Sequence, residues 1–168
     1  MAGQNVQEVT LGLGVLELNG VDVGFLKDSV ELNYTADVAD FKSQIPLTTL
    51  IRVRTAEDVK LSATVAQVNA TMMKNAVGTG IITDSPTEEL LEVGGDSLVP
   101  DIPLVFTHTR RDGKIVEVTF YKASSNEMTL PFTETDFSLY DVEFTGIGDL
   151  TKAAGKNLFK IRNEKPAS

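Results

Sequence analysis

The chain has 168 residues, 42% of them hydrophobic, with 24 acidic and 15 basic residues, one histidine and no cysteine. That length allows one domain that buries roughly 70% of its unfolded surface without a disulfide or metal staple. The lack of cysteine excludes thiol catalysis, thiolate metal sites and a disulfide framework, and a net charge of −9 without a clustered basic stripe argues against direct nucleic-acid binding.

The opening residues lack the basic stretch and apolar core of a secretory leader, and no apolar run approaches the roughly 20 residues of a membrane span. A soluble protein made without export is expected. Leu13 to Leu18 reads as a strand, Asn19-Gly20 as a type I′ turn, and Val21 to Phe25 as the return. From Asp28 to Tyr34, Val30, Leu32 and Tyr34 alternate with polar residues, which marks a half-buried strand.

The alternation fails from Ala36 to Pro46. Asp37, Ala39, Asp40, Lys42 and Ser43 have low strand propensity, and Pro46 cannot donate to a ladder, so a long loop is expected. Loops of that length in compact domains are functional or disordered. Strands resume at Thr48 to Thr55 and again at Val59 to Val65. Asn69 to Val77 forms the one helix, with Asn69 as cap, Val68, Met72 and Ala76 on one face, and Gly78 as a left-handed stop. Met72 and Met73 read as core filling.

Residues 79 to 101 make an acidic connection in which Ser85-Pro86 to Leu91 fits a helical turn. A hairpin follows, Leu104 to Thr109 and Lys114 to Lys122, across Arg111-Asp112-Gly113, with Arg110-Arg111 as its exposed end. Thr129 to Phe132, Phe137 to Thr145 and Leu158 to Ile161 complete the strands, and residues 162–168 are expected to fray. The fold class is therefore mainly β: an antiparallel β-sandwich, barrel-like, with one flanking α-helix.

Charge is segregated along the chain. No Lys or Arg lies between Lys74 and Arg110 or between Lys122 and Lys152, and these two blocks hold 12 of the 24 acids. The remainder is about +3. Such a surface repels a polyanion or attracts a basic face of a second copy.

Catalytic machinery is hard to find. His108 is the lone histidine and follows Leu104 and Phe106 at period two, which fits a structural role on an apolar strand face. No nucleophile elbow or phosphate loop is present. Glu134 and Asp136 form a carboxylate pair, but the chain has no tryptophan and only three tyrosines to make a sugar-binding platform. Asp84, Glu88 and Asp96 offer oxygens for calcium without EF-hand spacing. The expectation is a non-enzyme with no cofactor and no metal. Strand edges near Leu32 to Tyr34 and Leu61 to Val65 carry few blocking residues, and so suit edge-to-edge pairing between copies. A small-molecule or carbohydrate-binding β-sandwich module is the alternative from a different class.

Several of these segments together resemble the major tail tube proteins of long-tailed bacteriophages. They are Gly14 to Gly24, the strand Val30 to Tyr34, the long loop, Val59 to Ala63, the helix Asn69 to Val77, the hairpin at Asp112-Gly113, and Phe137 to Phe144. The resemblance covers residues 11–161 as one domain, between an N-terminal arm, Met1 to Thr10, and a C-terminal tail, 162–168. It implies a virion protein synthesised in the host cytoplasm. Its copies would form hexameric rings whose inner strands join into one barrel, and the rings would stack into a tube that conducts DNA during ejection. Implied partners are other copies of the chain and the tail terminator, tape-measure and tail-tip or baseplate proteins. The inner tube of a contractile tail or secretion system is a close variant. By position, the ring-to-ring assembly loop spans 37–49, with Asp37, Val38, Ala39, Asp40, Phe41, Lys42, Ser43, Gln44, Ile45 and Pro46. Glu31, Glu134, Asp136, Asp141 and Glu143 are candidates for an acidic lumen.

Overall fold

The computed structural model describes residues 14–43, 48–66, 70–95, 100–132 and 139–165. In chain order they form β1 (Val15–Leu18), β2 (Val21–Asp22), β3 (Leu26–Lys42), β4 (Thr49–Val65), α1 (Ala70–Val77), β5 (Ile81–Asp84), β6 (Glu89–Glu92), β7 (Ile102–Thr109), β8 (Ile115–Thr129), β9 (Tyr140–Ile147) and β10 (Phe159–Asn163). The fold is mainly β with one helix, and every strand pairing is antiparallel.

One sheet runs β2-β1-β7-β8-β9-β4-β3, with β10 also on β8. Residues from β1 and β7 (Leu16, Leu18, Leu104) share a buried cluster with Val59, Leu61 and Val65 of β4. Strands that far apart in the order cannot touch across a flat sheet, so the sheet folds over on itself, and β8 is where it does so. Its first part pairs with β7 and β10, and its second part, Lys122 to Thr129, pairs with β9. A long strand shared by two layers is how an orthogonal sandwich turns its corner. Gly146 makes that turn tight: a Cβ there would lie 2.5 Å from Val59 Cγ1. The sandwich is open, not a closed barrel.

The core is what the alternation of β4 and β9 dictates. Val59, Leu61, Ala63 and Val65 point inward with Tyr140, Val142 and Phe144, while Lys60, Ser62, Thr64, Asp141 and Glu143 point out. The helix buries Met72 and Ala76 against this core. Gly78, at φ 79°, ends it by donating its amide to the Lys74 carbonyl at 2.8 Å. The cap residue Asn69 and Val68 lie outside the described residues. Asn19 and Gly20, at φ 52° and 75°, make the left-handed turn between β1 and β2.

Several expectations need correcting. Ser85 to Leu91 is not a helical turn: Ser85 and Glu88 close a tight turn through the Ser85 amide on the Glu88 carbonyl, and β5 and β6 pair on either side of it. The strands expected at Thr48 to Thr55 and Val59 to Val65 are one strand, whose register slips by one residue opposite Asp37/Val38. The hairpin strand from Lys114 does not stop at Lys122 but continues to Thr129 as β8. Arg110 is not at an exposed end. Its side chain is 1% exposed, bound to Asp112, the Asn163 side chain and the Glu164 carbonyl. Those bonds also hold the chain in order to Glu164, where fraying was expected from Arg162 onward.

Candidate assembly surfaces

The largest departure from the sequence reading lies at the segment expected to be a loop. Asp37 to Lys42 is not a loop: β3 runs unbroken through it, paired with β4 down to Lys42 and Thr49. Low local propensity is overridden by cross-strand pairs, which are what stabilises a two-stranded ribbon. Asp40 lies opposite Arg52, and the two make a bidentate ion pair, Nε to Oδ1 at 2.7 Å and Nη2 to Oδ2 at 3.0 Å. The guanidinium holds the Asp40 carboxyl below its ordinary range. At the base of this arm, the Tyr34 hydroxyl donates to Glu57 at 2.6 Å and Arg54 donates to the same oxygen at 2.9 Å. Glu57 is thereby held low, first by Tyr34 and then by Arg54. Ser43 follows the strand, and Gln44, Ile45 and Pro46 lie outside the described residues.

The arm is amphipathic. Ala39 faces Val53 and Phe41 faces Ile51, which makes one apolar side, while Asp40, Arg52 and Arg54 occupy the other. Every residue from Thr49 to Glu57 is exposed, and Phe41 is 65% exposed. β9 pairs with β4 only from Lys60 to Val65, so beyond Lys60 the arm is two strands wide.

The second surface is the outer face of the half-sheet β8-β9-β4-β3. Register places Glu31 beside Ser62, Ser62 beside Glu143, and Glu143 beside Glu127, with Asp141 one pair along. Glu31, Glu127, Asp141 and Glu143 line one shallow depression of about 290 Å³ with Ser29, Ser62, Thr64 and Thr129. Lys60 bridges to Glu143 at 2.7 Å and is pushed above its ordinary range by that carboxylate first. The structure thus gathers three of the five acids named as lumen candidates, while Glu134 and Asp136 lie outside the described residues. Glu127 was missed. Its signal was available, since it belongs to the second acid-only block, but a register slip between Ser125 and Glu127 sets which way it faces, and alternation does not show that.

The third feature is a pair of free edges. Among the described residues β3 pairs on one side only, and β8 from Ser124 to Thr129 pairs with β9 alone. These two edges bound the four-stranded half-sheet. Elsewhere the chemistry is sparse: no group of three or more metal-ligating side chains comes together among the described residues, and no helix is long and apolar enough to cross a membrane. His108 is buried, on the same face of β7 as Leu104. No family model matches the chain, and a search of curated proteins finds no match.

Proposed function

We propose that this chain is a tail-tube subunit: copies join edge to edge into rings, and the rings stack into a hollow tube through which DNA passes. The half-sheet with two free edges carries the reading. Its four strands alternate in direction, so β3 and β8 run opposite ways at its two sides. Set beside the β8 edge of a rotated copy, β3 continues the antiparallel ladder, and the pairing repeats until the rotation closes a ring. An odd number of strands would force a parallel seam instead.

The face that such a ring turns inward is the acidic one, because the other face is the sandwich core. Four carboxylates against Lys60 leave that wall negative, and a negative wall keeps a polyanion from adhering. Six copies, the number implied by the family resemblance, would give a wall of 24 strands. At roughly 4.8 Å per strand and about 40° of tilt, its backbone diameter is roughly 45–50 Å, wider than a DNA duplex. Negative-stain microscopy of the concentrated protein tests the proposal. Hollow tubes of uniform width are expected, and a protein that stays monomeric at every concentration refutes it.

A further inference from the structure

The two free edges of the half-sheet share an irregularity that its interior lacks. Where β9 pairs with β4, the register runs without a slip from Lys60 to Val65. On β3 it slips between Lys27 and Val30, which pair with the adjacent residues Thr64 and Ala63, so Asp28 and Ser29 are extra. On β8 it slips between Ser125 and Glu127, which pair with the adjacent residues Phe144 and Glu143, so Asn126 is extra. Both insertions sit on the strand whose far side is unpaired. The alternation is in step on either side of each one. Leu26 and Val30 pair with inward Val65 and Ala63, and Ser125 is buried while Glu127 is exposed.

A bulge leaves its extra residues unpaired, bends its strand, and breaks the row of backbone donors and acceptors that a second strand would read. Bulges, charge and shortness are the means by which sheet edges avoid pairing with another chain. Two other edges of the main sheet use the last two means. β2 has two residues, and β10 has five, Lys160 and Arg162 among them. The edges that pair in the tube reading are β3 and the open part of β8, and each carries a bulge.

Each bulge is also tied by a serine to the glutamate two residues on. The Ser29 hydroxyl donates to Glu31 Oε1 at 3.2 Å. Ser125 is 1% exposed, and its hydroxyl donates to the Glu127 carbonyl at 3.2 Å, a bond that spans the bulge itself.

Resting on the tube reading, we infer that these bulges are guards. They raise the concentration at which free copies join edge to edge, and Ser125 latches the guard on β8. A subunit is thereby held as a monomer at concentrations where two unbroken edges would already pair.

Deleting Asn126, or Asp28 and Ser29 together, restores the register of its strand without turning any side chain to the other face. Both deletions should keep the monomer's cooperative unfolding. Sedimentation velocity should detect assembly at a concentration about tenfold lower or less, since two recovered ladder bonds per seam suffice for that shift. Ser125→Ala keeps the chain length and should lower the threshold about threefold, so it decides the matter where a deletion fails to fold. Wild-type tubes together with folded variants whose threshold is unchanged or higher overturn the guards and leave the tube reading in place. A higher threshold would mean that the bulges seat the seam. Wild-type protein that never assembles removes the tube reading. Variants that then stay monomeric too overturn the guards with it, whereas variants that associate uphold them.

Discussion

Replacing Arg110 with methionine removes the bonds that hold the C-terminal strand to the body of the domain. The guanidinium is 1% exposed and satisfies four acceptors: both Asp112 oxygens at 3.3 and 3.1 Å, Asn163 Oδ1 at 3.0 Å, and the Glu164 carbonyl at 2.6 Å. Methionine fills much of the same space but donates to none of them. Asp112 is 15% exposed, Asn163 is exposed and Glu164 is half-buried, so water recovers part of what each acceptor loses. Orphaned buried acceptors cost about 1–3 kcal/mol, and a broken buried pair about 3–5 when neither group reaches water, so about 2–4 kcal/mol is expected here. In a domain of this size that lowers the melting temperature by about 5–15 °C. Urea titration gives the energy, and native-state hydrogen exchange locates it: amides of β10 should lose protection well before those of β4 and β9. The effect should reach the arm's base, because Phe159 on β10 packs 5.9 Å from the Tyr34 ring and 6.1 Å from that of Phe120. A loss under about 1 kcal/mol, with β10 protection unchanged, refutes the argument.

Tyr140 is fully buried, its hydroxyl is without a hydrogen-bond partner among the described residues, and burial pushes its pKa up to about 12. Tyr140→Phe should therefore stabilise the fold by about 1 kcal/mol, read as a higher melting temperature; a drop would mean the hydroxyl has found an acceptor. Because the folded pKa exceeds the ordinary 10.0, wild-type stability is intact below pH 10 and declines toward pH 12, and the phenylalanine variant should lose less over that range. The arm has the opposite dependence. Asp40 and Glu57 are held below their ordinary values of 3.8 and 4.5, so their contribution is full above those values and is lost as the pH falls through them. Amide exchange in Val38 to Lys42 should accelerate below about pH 4 ahead of exchange in the core, and Asp40→Asn should abolish that step; arm and core loosening together would contradict it.

Where burial enforces a period, the sequence was legible. Val59 to Val65 and Tyr140 to Phe144 alternate because one face of each is packed, and Asn19-Gly20 and Gly78 announce their turns through positive φ. The arm was misread for the converse reason. Its two sides are both exposed, so no burial pattern marks it, and its stability comes from pairs such as Asp40 with Arg52 that lie 12 residues apart. Arg110 was misread because two of its four acceptors, on Asn163 and Glu164, lie more than 50 residues downstream, in a tail that looks featureless on its own. The acidic face was partly legible: a strand pattern tells which residues share a side within β3, β4 or β9, but only register across strands shows that the sides coincide.

The two free edges also lie far apart along the chain, β3 at Leu26–Lys42 and the open part of β8 at Ser124 to Thr129. Synthesis proceeds from the N-terminus, and a hairpin such as β3–β4 forms from local contacts alone. A half-made chain therefore shows one edge early and lacks its complement until most of the polypeptide has emerged. Nascent chains side by side on one messenger have nothing to pair with in the orientation a ring requires. In the tube reading, competence to polymerise comes only with a finished domain, so translation order serves as the timer for assembly.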